Sequence, residues 1–209
     1  MIQTYLISRF SRRSLLALCM AVLCGHAMAA SWTGMAKAVA KEIQDQPVTV
    51  QHNGPVEIGF SPGQGSEKLI LRVIDSAKSE IRVLAYSYTS VPVTQALIAA
   101  RHRGVDVALI VDEKSNVKED KSHKSVHALN ALVNAGARVR TIGKFPIFHD
   151  KTICVDRETT QTGSFNYSAN ANRNSENVVV FWRAPEVTQV YLAHWQERFD
   201  AGTDYQPGY

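Results

Sequence analysis

Residues 148–177 read FHDKTICVDRETTQTGSFNYSANANRNSEN, from Phe148 to Asn177, and both the fold and the chemistry of the chain hang on this stretch. Thr152 to Val155 is a short run suited to a buried strand, so the charged groups on either side of it belong at its two ends. Side chains two residues apart in a strand share a face, which sends His149 and Lys151 one way and Asp150 the other. An imidazole and an ammonium aimed at one point suit an anion. Ser164 and Asn166, again two apart, fall on the next strand and the turn leaving it, and they add small hydrogen-bonding groups. Four residues suited to phosphate therefore converge.

His149-x-Lys151, four residues and Asp156, then six residues and Gly163-Ser164-x-Asn166, resembles the signature of the phospholipase D superfamily. The likeness extends to VEIGFSP at 56–62, IRVLAYSYT at 81–89, RGVDVALIVDE at 103–113 and HWQER at 194–198, all similar to the small single-motif periplasmic endonucleases of the Nuc type. It covers roughly the whole chain after its leader, and the motif is far more specific than a lone Gly-rich loop. The resemblance implies a phospholipase D-like fold and catalysis by His149 and Lys151, with Ser164 and Asn166 on the phosphoryl oxygens. It also implies that Glu176 holds the second ring nitrogen of the nucleophilic histidine. Asp156 belongs to the motif but sits at the far end of the strand, where fixing a loop suits it better than touching substrate.

The start of the chain has the marks of a secretory signal peptide over residues 1–29. Arg9, Arg12 and Arg13 precede an apolar run from Leu15 to Leu23, and Ala27-Met28-Ala29 fits a small-x-small cleavage site. The run is shorter than the roughly 20 residues a membrane span requires. Cleavage after Ala29 leaves a domain of residues 30–209, exported to the periplasm or beyond, with no stable membrane anchor. It also removes three arginines, so the +4 charge of the full chain falls to near neutrality, 20 Lys+Arg against 19 Asp+Glu. Cys19 and Cys24 go with the leader. Cys154 then stands alone, which rules out an intrachain disulfide, and its place in the motif strand marks it as a small core residue.

Elsewhere strands and helices alternate. Ser31 to Asp45 is weakly amphipathic. Strands are expected at 56–60, 81–86, 105–111, 139–142, 152–155 and 178–182, with another leading to Ser164. Helices are expected at 66–77, 93–102, 126–135 and 185–199. Lys114 to Lys124, rich in lysine and acid, reads as a surface loop whose cations could track a phosphate backbone. The order predicts a single α/β domain, a mixed β-sheet sandwiched between helical layers.

Among the histidines only His149 has a lysine two residues on and an aspartate seven on. That matters because a phosphodiester repels nucleophiles and needs its leaving oxygen protonated. Hydrolysis without a metal takes a neutral nitrogen nucleophile, an acid on the opposite side and cations on the non-bridging oxygens. One imidazole cannot serve as both nucleophile and in-line acid. In the superfamily two motifs meet across a pseudo-twofold axis, so a single-motif chain implies a symmetric homodimer with two His149 facing each other. No metal or other cofactor is called for. The expected substrate is DNA, with RNA as a second, cut without sequence specificity through a phosphohistidine. The alternative is a phospholipase D, although no exposed apolar run of a lipid-facing kind is evident. A noncatalytic binder of nucleic acid or membrane would have no use for the full set of site residues. His194 reads as a packing or capping residue, and His123 with His127 as a solvated pair.

Overall fold

The computed structural model describes residues 47–207. The signal peptide expected over residues 1–29 and the stretch 31–45 lie outside the described residues. From Thr49 onward the chain forms one compact unit.

Eight strands share one sheet: β1 Val56–Ser61, β2 Glu80–Ala85, β3 Asp106–Asp112, β4 Arg138–Ile142, β5 Lys151–Val155, β6 Thr159–Gly163, β7 Glu176–Phe181 and β8 Thr203–Asp204. Their order is β1-β7-β6-β5-β2-β3-β4-β8. The pairs β2–β3 and β3–β4 are parallel and joined through helices, whereas β5, β6 and β7 run antiparallel, β5 to β6 through a short turn and β6 to β7 through the longer stretch 164–175. This is the expected mixed sheet.

Helices α1 Ser66–Asp75, α2 Val91–His102 and α3 Lys124–Asn134 cover one face. Their apolar stripes, Leu69, Ile70, Val73 and Ile74 in α1 and Leu129 and Leu132 in α3, pack with Ile81, Val83, Val107, Leu109, Ile153 and Val155. Burial of each such side chain contributes about 1.5–3 kcal/mol. Ser90 caps α2 by accepting the Val93 amide at 3.3 Å, and Pro92 sits in the first turn, where its missing N–H costs nothing. Helix α4, Pro185–Asp200, packs on the other face, with Trp195 and Phe199 against Leu84, Ala108 and Ile110. Among the described residues no helix is long and apolar enough to cross a membrane.

Three features depart from the expectations. First, Lys114–Lys118 is a π-helical turn rather than a loop, and Asn116 within it is fully buried. Second, β8 adds an edge strand that two polar residues, Thr203 and Asp204, did not announce. Third, β1 alternates as a half-buried strand should, but with the opposite face inward. Gly59 and Ser61 are buried while Val56, Ile58 and Phe60 are 46%, 59% and 48% exposed. Gly59 lies against the start of α1, and the Ser61 hydroxyl donates to the carbonyls of Ala171 and Asn174 at 2.8 and 3.0 Å. The register places Ile58 beside Val179, Val179 beside Thr162 and Thr162 beside Thr152, on the α4 side. Helix α4 packs on β2 to β6, so β1 and β7 project beyond it as an apolar ledge.

Candidate active site

The N-terminal ends of β5 and β7 and the C-terminal ends of β2 and β6 fall on one edge of the sheet, because β5 runs antiparallel to β2 and β7 to β6. Every sequence-predicted site residue but one lies there.

His149, exposed, precedes β5, and its ring meets the Tyr86 ring at 4.5 Å between centroids with a 49° tilt. Among the described residues no hydrogen bond reaches the imidazole. Lys151 begins β5 and is only 5% exposed. Its ammonium donates to the His149 carbonyl at 2.7 Å and lies 5.0 Å from the centre of the Tyr86 ring, so one tyrosine face orients both groups. Burial pulls the Lys151 pKa down to about 8, against the opposing pull of the Asp150 and Glu176 carboxylates.

Gly163 ends β6 with φ +148, and a Cβ there would stand 2.2 Å from the Asn177 carbonyl oxygen. That approach lets Ser164 turn onto β7. The Ser164 hydroxyl donates to Glu176 at 2.6 Å and accepts from the Asn177 amide at 3.0 Å. Asn166 keeps a buried side-chain oxygen without a partner among the described residues, a state that polar groups rarely hold unless a ligand completes them. Glu176 also accepts from Asn174 at 3.2 Å.

The two carboxylates that the motif brings in have different places. Glu176 joins the cluster but makes no hydrogen bond to the His149 ring within this chain. Strand β6 lies between β5 and β7, which puts the two residues about 10 Å apart across the sheet, and the Ser164 hydroxyl in between takes the carboxylate. Asp156 is not at the site at all. It sits at the other end of β5, with φ 51, and accepts from the Lys78, Ser79 and Glu80 amides at 2.8, 2.8 and 2.9 Å and from the Ser79 hydroxyl at 2.7 Å. Burial alone would raise its pKa, but these donors hold it below the ordinary aspartate value.

Several groups had no legible signal. Asp112, buried, accepts the Phe148 amide at 2.9 Å and the Ser115 amide at 2.7 Å. Asn116 donates to the carbonyls of Tyr86 and Asp112 and accepts the Tyr88 amide at 2.8 Å. Together they clamp the chain on both sides of the Tyr86–His149 contact. Only their position at the C-terminal end of β3 hinted at this. His194, expected to be a packing residue, instead lies 2.9 Å from the Asp150 carboxylate at the mouth of a cavity of about 390 Å³. His149, Lys151, Thr162 and Tyr191 also line it. Cys154 behaves as expected: it is buried against Thr160, and burial pushes its thiol up to about 12, far from a reactive thiolate.

An exposed imidazole, a buried ammonium and a cluster of Ser, Asn and Glu on one sheet edge define a hydrolase that handles phosphate esters. The comparisons agree. Residues 70–199 match the family described as cardiolipin synthase, PLD-like domain. The chain is 36% identical over 162 residues to a phospholipase D of Rickettsia felis, covering 76% of each. It superposes on Nuc from Salmonella typhimurium with a TM-score of 0.69 and 44% identity, covering 74% of this chain and 99% of that one. NucT from Helicobacter pylori, at 19% identity and a TM-score of 0.65, shares the fold. The chain belongs to the phospholipase D superfamily, in its single-motif Nuc type, and is a phosphodiester hydrolase.

Proposed function

We propose that the protein is an exported endonuclease that hydrolyses DNA, and RNA as a second substrate, without sequence specificity or a metal, as a symmetric homodimer in the periplasm or outside the cell. The observation that carries this reading is the state of His149: one per chain, exposed at the rim, its ring unengaged by any hydrogen bond from the described residues, on a chain that aligns with nearly all of Nuc.

In this scheme the His149 lone pair attacks phosphorus, forming a P–N bond while the P–O bond to the leaving oxygen breaks. The partner subunit's His149 supplies the proton that oxygen takes up. A water molecule then attacks the phosphohistidine, forming a P–O bond as the P–N bond breaks and His149 is freed, and gives its proton to the partner subunit's His149, so that the products are the free hydroxyl of the first step and a phosphomonoester. Lys151 carries charge onto the non-bridging oxygens, while Ser164 and Asn166 hydrogen-bond them. Glu176 orients Ser164 and favours the charged form of Lys151.

Supercoiled plasmid incubated in EDTA, beside a native mass measurement, tests the proposal. Nicking by a species of twice the chain mass is expected. Full activity from a strict monomer, or silence in EDTA, would overturn it. A second reading, a phospholipase D, draws on the Rickettsia relatives that bear that name and on the apolar ledge of Val56, Ile58 and Phe60, which joins the cavity through Val179 and Thr162. Choline release from phosphatidylcholine with intact plasmid would decide for it.

A further inference from the structure

The motif accounts for one end of the 390 Å³ cavity and leaves the other unexplained. The cavity lies between the start of β5, the end of β6 and helix α4, whose Val190, Tyr191 and His194 also line it. Its volume lies within the range of small-ligand sites and exceeds what a phosphoryl group fills. Tyr191 is partly exposed, and among the described residues its ring has no aromatic partner and its hydroxyl no hydrogen bond. His194, by contrast, is pinned by Asp150, and the Thr152 and Thr162 hydroxyls lie 3.4 Å apart, Thr162 also donating to the Lys151 carbonyl at 3.3 Å. The wall is thus mixed, with polar groups beside the apolar Val190, its one carboxylate paired and one aromatic ring without a partner among the described residues.

We propose that this wall is a subsite for the nucleoside attached to the scissile phosphate, with Tyr191 as the ring on which its base stacks. The proposal rests on the endonuclease reading and deepens it. A trimethylammonium headgroup is recognised by several aromatic faces or an unpaired carboxylate. Here the second nearby ring, Tyr86, is already covered by His149 and the Lys151 ammonium, and Asp150 is engaged by His194. A base needs only one planar partner, and stacking is indifferent to sequence because every base has a π-face. The subsite would therefore fasten the substrate without reading it.

The test uses the full exported protein in EDTA with three chromogenic diesters: thymidine 3′-(4-nitrophenyl phosphate), its 5′ isomer, and methyl 4-nitrophenyl phosphate, which lacks a nucleoside. Tyr191→Ala should lower kcat/KM roughly tenfold on at least one thymidine ester, mainly through KM. The methyl ester should change by less than about twofold. Tyr191→Phe, which keeps the ring, should restore the wild-type values. Equal losses on all three esters, or no loss on either thymidine ester, would overturn the subsite while plasmid nicking by the wild-type protein still upheld the endonuclease. A wild-type protein that leaves plasmid intact and releases choline would overturn both.

Discussion

Strand β5 carries the motif, and its two ends have opposite characters. At the Asp156 end nearly every charge is answered: Asp156 by four donors, Glu80 by Arg82 at 2.8 Å and Arg157 at 3.1 Å, Asp106 by Arg82 at 2.7 Å and Arg138 at 2.8 Å. At the Lys151 end groups are left wanting, namely an exposed imidazole without a hydrogen bond, a buried ammonium over an aromatic face and an orphaned amide oxygen in Asn166. One sequence motif thus spans a rigid strand of which one terminus is saturated and the other held ready. Polar groups without partners cost stability, and here they gather where a phosphate would complete them. Catalytic sites depend on such preorganisation.

The largest effect that would separate the two ends is expected at His149. His149→Ala should lower plasmid nicking by about four orders of magnitude or more, with Tm unchanged because the ring is exposed and bonds nothing but the Tyr86 face. A variant that nicks at near wild-type rate would place the nucleophile elsewhere and end the contrast.

Lys151 should give a slightly smaller loss of activity together with a gain in stability. Its pKa is lowered to about 8, so folding disfavours its charged form, at a cost on the order of 3 kcal/mol wherever the ammonium is charged in both states. That cost is fully present below pH 8 and disappears as pH rises through the unfolded value near 10.5. Lys151→Met should therefore be almost inactive yet have a higher Tm than wild type at pH 7. In the wild-type enzyme the phosphate clamp is the charged form, so nicking should decline as pH rises through about 8. A Met variant less stable than wild type, or a rate flat from pH 7 to 9, would show that the ammonium is not held against its solvation.

The distribution of the legible and illegible features follows from what each depends on. Helix α1 was readable from its apolar periodicity and strands β3 and β5 from their short apolar runs, because both signals are local and burial follows them. β1 was read correctly as a strand, but which face is inward depends on where α4 stops, a tertiary fact absent from VEIGFS. Within the site, His149, Lys151, Ser164 and Asn166 were legible as a spaced motif and converge as expected. Asp112, Asn116, Tyr86 and His194 were not, because each acts through partners about 30 to 65 residues away in sequence. The lysine-rich run around Asn116 masked it, since composition argues for solvent and only the fold buries that one side chain. Glu176 was placed at the cluster, but its bond to Ser164 was not anticipated, because the pattern does not show that β6 intervenes.

The smallest effect on chemistry, and the sharpest test of the contrast, belongs to Asp156. Although it stands within the motif, its carboxylate serves the Lys78–Glu80 turn and holds Asp156 itself at positive φ. Hydrogen bonds to a charged acceptor contribute roughly 1.5–3 kcal/mol each before solvent competition. For this partly exposed group, Asp156→Ala should cost about 2–3 kcal/mol of stability in total. Its folded pKa is depressed, so the contribution is fully present above the unfolded value of about 4 and fades as pH falls through the lower folded one. Wild type and variant should therefore converge in stability as pH falls below the lowered folded value. Below the variant's melting temperature, kcat per folded molecule should stay within about threefold of wild type, because the strand between the two ends is rigid and buried. Should Asp156→Ala instead abolish turnover with Tm intact, the far end of the strand would have to be counted as part of the catalytic apparatus, and the division between an anchoring terminus and a reacting one would be wrong.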